Sequence, residues 1–355
     1  MNRFLRLSLL ALCSSAAFMT PVISAVAEGV APRVTFDGQI RNNSLALSPD
    51  ERTAVVSYSE RSEVIVYDLA KNAVRGVLRG YVTPRNIVFA PDGNSFYVSD
   101  SSLGTVTRVE TSSLVTTAKL GAGPGAFGTV LSKDGATLYI NNQASSTVTR
   151  MSTVSGLAGA VITGFAQPRQ GVRLSPDGDK LYVTNFLGDK VTIVDTKTDK
   201  IDGEISGFNK IRAISVTADG KTMFAANSGS NDIAVVDVGA RRIAKTIPVG
   251  RDPYGAALTP DGRFVYSGNL GDNSLSVIDV ASQKVVATIE GFKQPRQAIV
   301  FTRDGQLAYV LNEDLSVARV DRAAQRVVGT LDLLGISETV IPRRRRVAGL
   351  DGVVV

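Results

Sequence analysis

Seven Asp-centred turn signals recur along the chain at a single period: PDE at 49–51, PDG at 91–93, KDG at 133–135, PDG at 176–178, ADG at 218–220, PDG at 260–262 and RDG at 303–305. Their aspartates, Asp50, Asp92, Asp134, Asp177, Asp219, Asp261 and Asp304, are 42, 42, 43, 42, 42 and 43 residues apart. Asp-Gly suits a tight hairpin, because glycine accepts a positive φ and the aspartate bonds its own backbone. A regular array of this kind requires a modular fold in which each unit packs on its neighbours.

Each turn lies between two apolar runs, such as NIVFA and SFYVSD around the second. A third run follows in every unit: VIVYD, VTRVE, VTRMS, VTIVD, IAVVD, LSVID and VARVD. A weaker fourth closes it, as in RIAKTIPV at 242–249. Val, Thr, Ile and Gly dominate, and helical stripes are missing. Four short strands per repeat of about 42 residues is the signature of a β-propeller blade. The expected fold is therefore all-β: a seven-bladed β-propeller of four-stranded blades over 28–331. The segment RVTFDG at 33–38 resembles an outer strand and is expected to close the ring against the last blade or to add an edge strand there.

The fourth repeat reads LYVTN at 181–185, with looser copies at the same phase: YVSD, YINN, FAAN, YSGN and YVLN. On these residues the chain resembles the YVTN-repeat β-propellers, in their exported, YncE-like branch. WD-repeat propellers fit less well, since the chain has no tryptophan and no histidine. Export is also read from the first residues. Arg3 and Arg6, the apolar LSLLALCSSAAF and the small residues of AVA at 25–27 form a cleavable signal over 1–27, giving a periplasmic or secreted protein. No later segment is apolar and long enough for a membrane-spanning helix. The formal charge of +6 falls to +4 without Arg3 and Arg6, and Arg343–Arg346 supply all of that remainder. The body is near neutral, so a general field for duplex DNA is not indicated. The tail 332–355 carries this basic run and no assigned blade.

The residue inventory argues against catalysis. Without histidine the chain lacks the usual base near neutral pH and the commonest metal ligand. Its one cysteine, Cys13, lies in the leader, so no thiolate, zinc–sulfur or covalent haem chemistry is expected of the mature chain. No cofactor and no metal are expected. Some lactonases resemble this type of propeller, which makes a lactonase-like hydrolase the enzyme alternative.

Binding is better supported. The loops GFAQPRQ at 164–170 and GFKQPRQ at 291–297 differ at one position and stand 127 residues apart, the sum of three repeat lengths. They lead from one blade's outer strand to the next blade's innermost strand, beside the channel mouth. Following the period gives one slot per blade: Asn43, Arg85, Phe127, Arg169, Arg212, Tyr254 and Arg296, with Arg41 close to the first. Four guanidinium groups and two aromatics at equivalent positions suit an anion that also carries a planar group. The rival reading pairs these arginines with Asp189, Asp232, Asp272, Glu313 and Asp314 in the other loops of that face. Asn142, Asn185, Asn227, Asn269, Asn312 and Asp100 are read as structural, bonding the loop that follows them. The favoured function is a non-catalytic, monomeric binding or scaffold protein. Its ligand would be an anionic small molecule, glycan or protein, with single-stranded nucleic acid as a further alternative.

Overall fold

The computed structural model describes residues 40–332, together with a short strand pair, Arg33–Val34 against Val353–Val354. The leader and the Arg343–Arg346 run lie outside the described residues. Every element from Asn43 to Leu331 is a strand, and the strands fall into seven separate antiparallel sheets of four consecutive strands each. Blade 4 is representative, with strands Pro168–Leu174, Lys180–Asn185, Lys190–Asp195 and Lys200–Ser206. The chain is a seven-bladed β-propeller.

The turn chemistry is as regular as the period. In six blades the aspartate accepts a bond from a Ser or Thr hydroxyl two residues earlier (Ser48, Ser132, Ser175, Thr217, Thr259, Thr302) and from the amide two residues later. The residue after each of the seven aspartates takes a positive φ. Six are glycines, and the seventh, Glu51, takes φ 59° and pairs its carboxylate with the Arg303 amide of blade 7. The hydroxyl and amide bonds hold Asp50, Asp134, Asp177 and Asp219 below the usual carboxylate range. Bonds from Lys180 and Thr198 push Asp195 down to about 2. A depressed folded-state pKa contributes stability above the unfolded value that is lost as pH falls through the folded one. The melting temperature is therefore expected to be flat from about pH 5 to about pH 8, where a chain without histidine has no side chain of ordinary pKa to titrate, and to fall below about pH 4. Calorimetry across that range checks this; a decline between about pH 6 and 8 would contradict it.

Blades are held by side chains, because no ladder crosses from sheet to sheet. One apolar cluster fills each of the seven blade interfaces. Both faces of a strand serve this packing: in blade 4, Leu181 and Val183 face blade 3 while Tyr182 faces blade 5. That explains runs apolar on both faces. The ring closes in the same way. Leu311, Leu315, Val317 and Leu331 of blade 7 pack on Leu45, Val56, Ile65 and Tyr67 of blade 1, and the Tyr67 hydroxyl donates to the Leu315 carbonyl at 3.2 Å. The expectation that the segment at 33–38 completes the last blade is corrected: Arg33–Val34 pairs with Val353–Val354, and blade 7 ends at its own fourth strand, Arg326–Leu331. Side-chain packing already covers the joint, so the closure needs no exchanged strand.

Candidate functional site at the channel mouth

Local strand irregularity sets the slot residues. The innermost strands of blades 2 to 5 break register at the slot, between Pro84 and Ile87, Ala126 and Thr129, Pro168 and Val172, and Ile211 and Ile214. Such bulges re-aim side chains, and here they contain Arg85, Phe127, Arg169 and Arg212. In blades 6 and 7 the regular strand starts only at Ala257 and Ile299, beyond Tyr254 and Arg296. Two residues before the slot, Gln167, Lys210, Asp252 and Gln294 all adopt positive φ, between 49° and 56°. The glutamine that opens QPRQ in both repeated loops is thus the turning point of the backbone.

The preceding blade donates to the carbonyls that the bulge leaves open. Ser57 donates to the Arg85 carbonyl, Ser99 to that of Phe127 and Asn141 to that of Arg169. At the equivalent place in blade 6 stands Gly268, where a Cβ would lie 2.3 Å from the Arg296 carbonyl oxygen. The strand-ending Asn and Asp residues do more than bond the loop that follows. Asn185, Asn227 and Asn312 accept from the amides of Ala166, Asn209 and Lys293, each three residues before a slot arginine, and Asp100 accepts from Val82 and Thr83. They position the incoming loop, because their side chains fold back beneath it.

The slot residues form two stacks. The Arg85 guanidinium lies 4.4 Å from the centre of the Phe127 ring. Further round, Arg169 and Arg212 lie 3.4 and 4.9 Å from the Phe186 ring centre, and Arg212 and Arg296 lie 4.5 and 5.0 Å from that of Tyr254. Phe186 escaped the slot reading because it sits in a different loop, one residue past Asn185. Its signal is phase: Ser101 and Ser228 occupy that place in blades 2 and 5, and they accept from Nε of Arg85 and Arg212.

The arginines divide into two kinds. Arg85 is fully buried and also donates to the Ile40 carbonyl. Arg296 is 5% exposed and reaches the Arg41 carbonyl. Arg169 and Arg212 instead line a cavity of about 320 Å³, with Phe127, Tyr254 and Arg41. Burial, and then the charge of Arg212, push the Arg169 guanidinium down to about 9. Arg212 is lowered by burial too. Of the acids proposed as partners, Glu313 does pair with a candidate, Arg41, and accepts from Tyr58 as well, whereas Asp272 pairs with Arg251 and Asp314 with Lys293. Asp232 accepts from Asn227, and Asp189 from the Ile211 amide. No aspartate or glutamate among the described residues lines the cavity.

The two repeated loops meet. The final glutamines of QPRQ, Gln170 and Gln297, touch across the channel, with Gln297 Nε2 donating to Gln170 Oε1 at 2.7 Å. Gln297 also donates to the Asn43 carbonyl, and Gln170 to Asn86 Oδ1. Asn42 bonds Gln170 as well. An amide cluster therefore lines the wall from blades 1, 2, 4 and 7, with Asn42 Oδ1 and Asn43 Nδ2 buried without a partner among the described residues.

Residues 168–284, blades 4 to 6, match the family model described as "Lactonase, 7-bladed beta-propeller". No curated protein matches the chain. A solved structure of Kuenenia stuttgartiensis hydrazine synthase is similar at 19% identity and a TM-score of 0.73, over 85% of this chain and 99% of that one. Repeat, architecture and comparisons together place the chain among the seven-bladed β-propellers.

Proposed function

We propose that the chain is an exported, YVTN-type propeller that binds an anionic ligand non-catalytically at the channel mouth. One observation carries the reading: Arg169 and Arg212 share the Phe186 ring at the edge of a cavity with no carboxylate in its lining. Two desolvated like charges raise each other's cost, and an anion between them relieves it. Arg169 Nε is buried without a partner among the described residues, so at least one donor is unspent. Phe127 and Tyr254 line the cavity too, with Arg85 stacked on the first and Arg212 and Arg296 on the second.

Calorimetric titration with phosphate, citrate and sugar acids tests the reading. The wild-type chain is expected to bind with an affinity that weakens as salt rises. Arg169→Ala/Arg212→Ala is expected to lose about 100-fold or more, near two charge-assisted bonds, without a change in melting temperature. Unchanged affinity in the double variant would overturn the site. Preference for a single-stranded oligonucleotide over every small anion would move the ligand to nucleic acid.

The family match favours a second reading, a lactonase-like hydrolase. Ring opening needs a base or a metal-activated water, and the cavity lining offers neither histidine nor carboxylate. Turnover of a lactone panel by the purified chain would establish it in place of the binding role.

A further inference from the structure

Register identifies a cation that the slot pattern does not contain. In each blade one innermost-strand residue lies opposite the first position of the YVTN-like motif. Arg173 pairs with Tyr182 in blade 4. Its counterparts are Ala46, Val88, Val130, Ser215, Ala257 and Val300, paired with Val55, Tyr97, Tyr139, Phe224, Tyr266 and Tyr309. Six blades thus present a small or aliphatic side chain at this level, and one presents a guanidinium. Blades 4 and 7 carry one extra residue before this level, four steps from Arg169 to Arg173 and from Arg296 to Val300 where blades 2, 3, 5 and 6 take three, yet blade 7 has a valine there.

Arg173 lines the mouth cavity and also a second cavity of about 780 Å³ that opens among the Asp-Gly hairpins, so it stands where the two meet. Its side chain is exposed to the lumen, and the protein packed around that lumen lowers its pKa. Its one bond to a described side chain or backbone group runs from Nη1 to the carbonyl of its own neighbour, Val172, at 2.8 Å. The nearby acids are spent on their own turns: Asp134 on Ser132 and the Ala136 amide, Asp177 on Ser175 and the Asp179 amide. Lys133 is held by the Pro176 carbonyl. A guanidinium has five donors in a planar fork, so most of those of Arg173 face the lumen and are open to a ligand.

We infer that Arg173 is the inner anchor for a slender ligand with an anionic group at each end, one end held by Arg169 and Arg212 at the mouth and the other by Arg173 in the channel. This rests on the anion-binding reading of the mouth and gives it a ligand class. About three strand steps separate Arg169 from Arg173 along the channel, roughly 10 Å at the rise of a β-strand. The cavity that Arg169, Arg212 and Arg173 share is also lined by Gln170, Gln297 and Asn86 and by Phe127, Val130 and Ala213, and a linear spacer would run past the Gln170–Gln297 contact. Those amides already satisfy one another, so they shape the passage without requiring a polar spacer.

The test uses linear α,ω-dicarboxylates from four to ten carbons, with octanoate as the single-ended control, titrated into the wild-type chain, Arg173→Val and Arg173→Lys. Valine is what blades 2, 3 and 7 carry, so the fold is expected to persist, and a melting curve checks it. In the wild-type chain affinity should climb with length toward eight to ten carbons. Arg173→Val should flatten that profile to the octanoate level, about a 10-fold or greater loss for the longest diacids with the shortest unchanged, and Arg173→Lys should restore part of it. If Arg173→Val keeps the length preference, or if diacids bind the wild-type chain no better than octanoate, the inner anchor is wrong while the mouth site stands. If no acid binds the wild-type chain, the mouth reading fails and the inner anchor with it.

Discussion

Arg85→Ala is expected to cost roughly 3 kcal/mol or more of folding stability, because it strands the Ile40 carbonyl and the Ser101 hydroxyl and empties the space above Phe127. For a ring of this size that is a fall of about 6 °C or more in melting temperature. Arg169→Ala and Arg212→Ala, on the cavity, should stay within about 1 kcal/mol of the wild-type chain, since each gives up a desolvated charge along with its stacking. Urea denaturation of the three variants separates these outcomes. A fourfold variant lacking Arg85, Arg169, Arg212 and Arg296 would confound binding with stability, so the cavity pair is the proper probe of ligand binding. If Arg85→Ala kept the wild-type midpoint and lost anion binding, Arg85 would belong with the ligand residues instead.

Leu311→Ala should be more damaging than an equally buried truncation elsewhere. Leu311 has no exposed surface and lies in the cluster joining blade 7 to blade 1. Deleting such a side chain costs about 2–5 kcal/mol at any well-packed site. The other six interfaces are also joined by the chain running directly from one blade to the next, whereas blades 7 and 1 meet through packing and hydrogen bonds. Weakening it converts a closed ring toward an open array whose terminal blades lose a neighbour. Hydrogen exchange should therefore rise in blades 1 and 7 ahead of the rest in Leu311→Ala, while Leu181→Ala, between blades 3 and 4, should not single them out. Equal protection across all blades in both variants would show that closure is not the weak joint.

The mouth shows how far the period reaches. It places Arg85, Phe127, Arg169, Arg212, Tyr254 and Arg296 at one phase, and in the structure they stand in two stacks, Arg85 on Phe127 and Arg169 to Arg296 through Phe186 and Tyr254. It does not separate Arg85 and Arg296, which are buried, from Arg169 and Arg212, which line the cavity, because that depends on how far each bulge turns its side chain. Phe186 belongs to another loop and reaches its stack only through the fold. Arg173 is one of three polar residues in its strand, PRQGVRL, and stands out only when register shows that its six counterparts are small or aliphatic.

The sequence by itself determined the number of blades, the strand order within each and the place of every hairpin, since these follow from short-range turn chemistry and a repeat of 42 or 43 residues. Only the tertiary structure decided which cations have partners, that Gln170 and Gln297 meet, and that the ring closes without an exchanged strand. Those outcomes depend on distances between residues up to 272 apart in the chain, as for Arg41 and Glu313, and on the curvature that seven packed blades impose.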